Sequence, residues 1–153
     1  MENRTFTPGQ VHDLTGVSPE KLRIWRQRGH VEHEKEGGWA RFQFSEVASI
    51  ACMAEMIAGG ISVGDAAGIM SGKSVRMDIL RHWSATKVEN VPDFLIVIGH
   101  KANEDGTSLL DYFVTYPDGA TRILTEETNW SFFSVLNVST VLRNLERKIS
   151  ELK

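Results

Sequence analysis

The stretch that decides the fold is Ser18-Pro19-Glu20-Lys21-Leu22-Arg23-Ile24-Trp25-Arg26-Gln27-Arg28-Gly29. Ser18 can cap a helix whose first position holds Pro19, and Gly29 can close it. Leu22 and Trp25, three residues apart, share one face and should pack inward. Lys21, Arg23, Ile24, Arg26 and Arg28 are left for the outer and flanking faces, and no acid follows Glu20. A short helix with one apolar side and a cationic other side is suited to lie in a DNA groove, where cations supply a salt-dependent affinity and base-edge contacts supply specificity.

The flanking sequence makes that reading sharper. Upstream, Thr7-Pro8-Gly9-Gln10 has the form of a capping box with proline at the first helical position; Val11 and Leu14 face inward and Gly16 ends the helix. About three residues then separate the two helices, as a helix-turn-helix requires. Downstream, Gly37-Gly38 between residues 31–35 and 39–44 predicts a β-hairpin. Ser45 with Glu46 starts a third helix, with Val47, Ile50, Ala51, Ala54, Ile57 and Ala58 at helical spacing. Ser62 caps a fourth over residues 63–70.

Composition neither demands nor forbids this. The chain has 153 residues, with 41% hydrophobic and 24% charged residues, ordinary for a folded protein. The net charge of −3 is uneven: residues 1–88 carry 11 Lys/Arg against 10 Asp/Glu, residues 89–153 carry 6 against 10. No apolar run is long enough to span a bilayer and the N-terminus lacks a signal-peptide core, so the expected setting is cytoplasmic with no membrane partner. One cysteine, Cys52, excludes an internal disulfide or a two-thiol pair and reads as a small buried apolar residue.

Residues 5–72 resemble the DNA-binding domain of the MerR family of transcription regulators. The matching segments are Thr7-Pro8-Gly9-Gln10-Val11, Thr15-Gly16-Val17-Ser18, Leu22-Arg23-Ile24-Trp25 with Gly29, Phe44-Ser45-Glu46-Val47, and Gly60-Ile61-Ser62-Val63 with Ala66. Their order and spacing carry the resemblance rather than any one of them. It implies a winged helix-turn-helix and a homodimer on an inverted-repeat site in double-stranded DNA, with RNA polymerase as a further partner. Ser18, Lys21, Arg23, Arg26 and Arg28 would then be the DNA-contacting residues of the second helix. Arg41, with Lys35 second, would be the phosphate contact of the wing. The chain departs from the pattern at Ile24 and Arg26, where the family usually has an aromatic and often an acid.

After residue 72 the resemblance ends. Family members typically continue into one long helix that pairs across the dimer; here only residues 74–86 form an amphipathic stretch, with Val75, Ile79, Leu80 and Trp83 on its apolar side. Strands are predicted over 94–100, 109–116 and 121–125, a three-stranded meander with turns at Asn103-Glu104-Asp105-Gly106 and Pro117-Asp118-Gly119. The unalternated run Phe94–Ile98 predicts burial on both faces, with a partner as one cover. A helix over 137–152 carries Val138, Leu142, Leu145, Ile149 and Leu152 at heptad spacing, which reads either as a dimer seam or as a helix packed on its own sheet.

The sequence therefore predicts an α+β chain in three parts: a winged helix-turn-helix of four short helices and a β-hairpin over 1–72, a connecting helix over 73–88, and a β-meander plus C-terminal helix over 89–153 serving dimerisation. No catalytic constellation, metal site or cofactor is expected. His30 and His33, three apart on a strand, would point to opposite faces, and the remaining histidines and carboxylates are scattered. Tyr112, Phe113, Tyr116, Trp130, Phe132 and Phe133 read as core, with an effector pocket as the alternative, so any small-molecule effector is left open. The functional expectation is a sequence-specific transcription regulator. Its rivals are a DNA-architectural or excisionase-like directionality factor, a protein-interaction module that has lost DNA binding, and, more distantly, an enzyme.

Overall fold

The computed structural model describes residues 4–31, 35–36, 39–84, 93–105, 107–126 and 130–152; at positions 35, 36, 39, 74, 78, 80, 82–84, 102 and 108 it describes the backbone alone. The chain opens with β1 (Thr5–Phe6), α1 (Pro8–Thr15) and α2 (Pro19–Gln27). Short strands β2 (Lys35–Glu36), β3 (Trp39–Ala40) and β4 (Phe42–Gln43) follow, then helices α3 (Phe44–Ala58), α4 (Val63–Ser71) and α5 (Lys73–Ser84). The remainder is β5 (Leu95–Ala102), β6 (Ser108–Thr115), α6 (Pro117–Glu126), β7 (Phe132–Asn137) and α7 (Val138–Glu151).

Local chemistry sets the N-terminal elements. Thr7 Oγ1 accepts the Gln10 N–H at 3.2 Å while Gln10 Oε1 accepts the Thr7 N–H at 2.9 Å, a reciprocal box that satisfies two otherwise orphaned donors. Gly16, at φ 75°, closes α1 in a left-handed conformation and lets its N–H reach His12 O at 2.7 Å. The third helix begins one residue earlier than Ser45, because the Glu46 carboxylate accepts the Gln43 N–H at 2.6 Å and makes Gln43 the cap.

β1 pairs with β4 (Phe6 opposite Phe42), and β2 pairs with β3 (Lys35 opposite Ala40). The Gly37-Gly38 turn expected between β2 and β3, and His33, lie outside the described residues. The third sheet has the order β6-β5-β7, all antiparallel.

This corrects the expected meander. Residues 121–125 belong to helix α6, and the third strand is β7, which pairs on the far side of β5. Pro117 begins α6 and Asp118 occupies its first turn, which is helix-start grammar as much as turn grammar. β5 is therefore central. Ile96 and Ile98 face the main core, while Val97 points the other way and is also fully buried. The other cover is supplied within the chain, by α6 and by Trp130, whose indole lies so close over Gly99 that a Cβ there would overlap it.

The apolar core does not divide at residues 73–88. One contiguous cluster runs from Phe6, Val11, Leu14 and Leu22 through the α3 residues Val47, Ile50 and Met53 to Ile96, Ile98, Leu142 and Ile149. α7 packs on α1 and α3, and Lys148 Nζ donates to Leu14 O at 2.9 Å. The link from β5 to α7 is also polar: Phe94 N–H donates to the buried Ser139 Oγ at 2.9 Å, and Arg143 Nη2 meets Asp93 Oδ1 at 2.8 Å. The Arg143 hydrogen bond holds the Asp93 carboxyl below its usual range.

That packing corrects the expected dimer seam. Val138, Leu142, Leu145 and Ile149 are 0%, 0%, 2% and 4% exposed and face the chain's own core, and Leu152 packs against it half-buried. A heptad spacing is an apolar stripe, and here its cover is intramolecular. The aromatic set also needs correction. Tyr112 joins the margin of the core, and Phe113 stands beside Trp130 at 5.8 Å between ring centroids. Phe132, Phe133 and Tyr116 are 57%, 51% and 58% exposed and are not core.

Candidate nucleic-acid interface

α2 stands on a buried side and presents a charged one. Ser18 caps it, its Oγ accepting the Lys21 N–H at 3.3 Å, with Pro19 at the first position. Leu22 and Trp25 are buried, at 1% and 8% exposure, so the inward face is the one the spacing predicts. Lys21, Arg23 and Arg28 are exposed, while Ser18, Ile24 and Arg26 are half-buried. The Arg26 Nε is buried with no hydrogen-bond partner among the described residues, so this side chain is partly folded onto the protein and is less open than Arg23.

The helix ends sharply. Arg28 is the cap residue, and Gly29 follows at φ 72° rather than being the cap itself; His30 N–H then reaches back to Trp25 O at 2.8 Å. Three residues, 16–18, separate α1 from α2, with Val17 buried between them. α2 is therefore held at both ends and along one side, and its cationic face is fixed in direction by packing.

The structure places the two other cations differently. Arg41 is exposed in the link between β3 and β4. Lys35 is in β2 opposite Ala40, and its side chain lies outside the description. A cation that the sequence reading left out is Arg4, exposed just before β1 with its guanidinium 5.4 Å from the Phe6 ring centroid. β1 pairs with β4, Thr5 opposite Gln43 and Phe6 opposite Phe42, so Arg4 lies just outside that short sheet, at the end away from Arg41. No local signal marks it, since it precedes the first cap.

Other chemistry is sparse. Cys52 is buried and its thiol is pushed up to about 12, chiefly by burial and secondarily by Glu55, which removes the thiolate needed for reactivity or metal ligation. Among the described residues no group of three or more His, Cys, Asp or Glu could hold a metal ion. Among them, too, no helix is long and apolar enough to cross a membrane.

Residues 6–73 match the family model described as MerR HTH family regulatory protein. No curated protein matches the chain. The match begins at Phe6, ends at Lys73 and covers α1 to α4, so it includes both capped helices and leaves the β5–α7 half unmatched.

Proposed function

We propose that this chain, whose N-terminal segment is a MerR-type helix-turn-helix domain, is a sequence-specific transcription regulator that binds an inverted-repeat site as a homodimer. In this reading α2 enters the major groove, the β2–β3 hairpin acts as a wing, and Arg41 with Lys35 reaches flanking phosphate. The observation that carries it is α2 itself: capped, anchored by Leu22 and Trp25, and cationic on its open side within the matched segment.

Arg23→Ala tests it. The side chain is exposed, so the fold should be unaffected while specific binding falls by about 1–3 kcal/mol if Arg23 reads a base, or the salt slope drops by about one unit if it contacts phosphate. The duplex is obtained by selection from a random pool. Unchanged affinity across a salt titration defeats the assignment. The symmetry of the selected site separates the readings: an inverted repeat supports the regulator, and a head-to-tail array supports the architectural alternative.

Dimerisation needs a surface other than the α7 seam, and β7 provides the best one. Among the described residues no strand pairs with its outer edge. Its sequence, Phe132-Phe133-Ser134-Val135-Leu136-Asn137, has no charge and no proline, the devices that usually protect an edge. Phe133 and Val135 are 51% and 46% exposed on the outer face, opposite Gly99 and Val97. A second copy pairing antiparallel about Ser134 would set each Phe133 against the partner's Val135 and extend the sheet to six strands. Joining two reading heads this way would raise avidity by about 10²–10⁴. Val135→Lys is expected to convert the dimer to monomer in sedimentation with little change in melting. A monomeric parent, or a dimer indifferent to the lysine, overturns this interface.

A further inference from the structure

The N-terminal half contains a cleft of about 450 Å³ that the DNA-binding reading does not use. It lies between the exit of α2 (Gly29, His30, Val31), one side of α3, and the α4–α5 pair. Its apolar lining comes from Ile50, Met53, Met70 and Ile79, each no more than 3% exposed. Ser45, Ser49, Ser71, His30 and Arg76 supply polar groups around that lining. Among the described residues the wall holds one acid, Glu46, whose carboxylate accepts the Gln43 N–H. A volume in this range with an apolar lining and a few polar groups is what small-molecule sites have in common.

The wall formed by α4 is unusual. Gly64 and Gly68, one helical turn apart, both line the cleft. Glycine inside a helix costs about 1 kcal/mol relative to alanine. Gly68 has no positive φ that would call for glycine, and a Cβ added to it would meet nothing within 4 Å. Neither backbone conformation nor crowding explains it. What its missing side chain does is leave the cleft open.

We infer that this cleft binds a small amphiphilic molecule: a ring-sized aromatic or aliphatic body, with one carboxylate-type head met by Arg76, His30 and the serine hydroxyls. The body displaces water from the apolar lining, and among the described lining residues the head meets one arginine and several neutral donors against a single carboxylate. Because residues 29–31 form one wall, an occupant fixes the exit of α2 against α4 and α5 and so alters how the reading helix and the hairpin are presented. That last step rests on the DNA-binding reading; occupancy of the cleft does not.

The probe is 8-anilinonaphthalene-1-sulfonate, an aromatic body with an anionic head, titrated into the full chain without DNA. Saturable single-site fluorescence is expected. Gly68→Leu should fill the space and weaken the probe about tenfold or more, whereas Gly68→Ala should leave affinity within about twofold. Both variants should melt no lower than the parent, since each residue is a better helix former than glycine. If Gly68→Leu fails to fold, Gly64→Leu fills the cleft from the preceding turn. Arg76→Gln should weaken the sulfonate probe several-fold but leave the neutral N-phenyl-1-naphthylamine unchanged. Non-saturable binding, or a Gly68→Leu variant (Gly64→Leu in its place) that binds like the parent, overturns the site; equal loss of both probes overturns the head assignment. With the pool-selected duplex, saturating probe should shift the parent's DNA affinity at least about threefold and leave Gly68→Leu unmoved. Probe binding without that shift overturns the coupling, and probe binding in a protein that binds no duplex counts against the DNA reading alone.

Discussion

A chain ending at Ser84 is expected to lose its cooperative melting transition. The four helices matching the regulator family would all be present, yet the truncation removes Phe94, Ile96, Ile98, Val138, Leu142, Leu145 and Ile149 from the shared core. It also strips α7 from α1 and α3, together with the Lys148 bond to Leu14 O. Each fully buried aliphatic side chain contributes about 1.5–3 kcal/mol. The removed segment takes its own ordering entropy with it, so the net loss comes from the apolar surface left bare on α1 and α3. A domain has about 5–15 kcal/mol in total. Circular dichroism melting and amide dispersion in NMR decide the matter. A sharp transition and a dispersed spectrum would mean that the matched segment folds alone and that the unmatched half is an independent attachment.

Trp25→Ala is expected to destabilise the chain by about 3–5 kcal/mol, the usual consequence of removing a large buried aromatic. Trp25 is 8% exposed and part of the core cluster, on the face of α2 opposite Arg23. Two substitutions two residues apart should therefore both weaken specific binding, for different reasons. Arg23→Ala should melt like the parent, and Trp25→Ala should melt far below it, with Trp25→Phe recovering most of the loss. If Trp25→Ala melts normally and merely binds DNA poorly, the indole is a surface contact and the inward face of α2 has been misassigned.

What the sequence made legible was local. Thr7 with Gln10, Ser18 with Pro19, Gly16 and Ser62 each act within four residues, and each caps or closes the helix its position predicts. The inward pair Leu22 and Trp25 followed from helical spacing alone. The candidate interface was legible for the same reason, because α2 is short, capped and asymmetric in charge. Apart from one-residue shifts at the ends of α2 and α3, the failures lie in the second half of the chain, where packing and distant pairing decide. Residues 121–125 have strand-like composition, but Ala120, Ile123 and Leu124 lie on one helical side, and α6 packs against β5. β7 sits beside β5 across about 35 positions of chain, which no local pattern encodes. The α7 stripe declared that it would be covered and was silent about by what. Cleft and edge are equally non-local: one is assembled from α2, α3, α4 and α5, and the other exists only because β5 took the central place.

The burial of α7 against α1 and α3 has a genetic consequence. In a screen for lost regulation, substitutions at Leu142 or Leu145 would score like those at Arg23, although these side chains belong to the unmatched half. The mechanisms differ in what happens to the protein. A core lesion of a few kcal/mol raises the unfolded fraction and exposes the chain to proteolysis, so its steady-state level falls. A recognition lesion leaves the level intact. Immunoblots of the screened alleles would sort them into two groups, and the sparse-protein group should extend beyond residue 73 into β5 and α7.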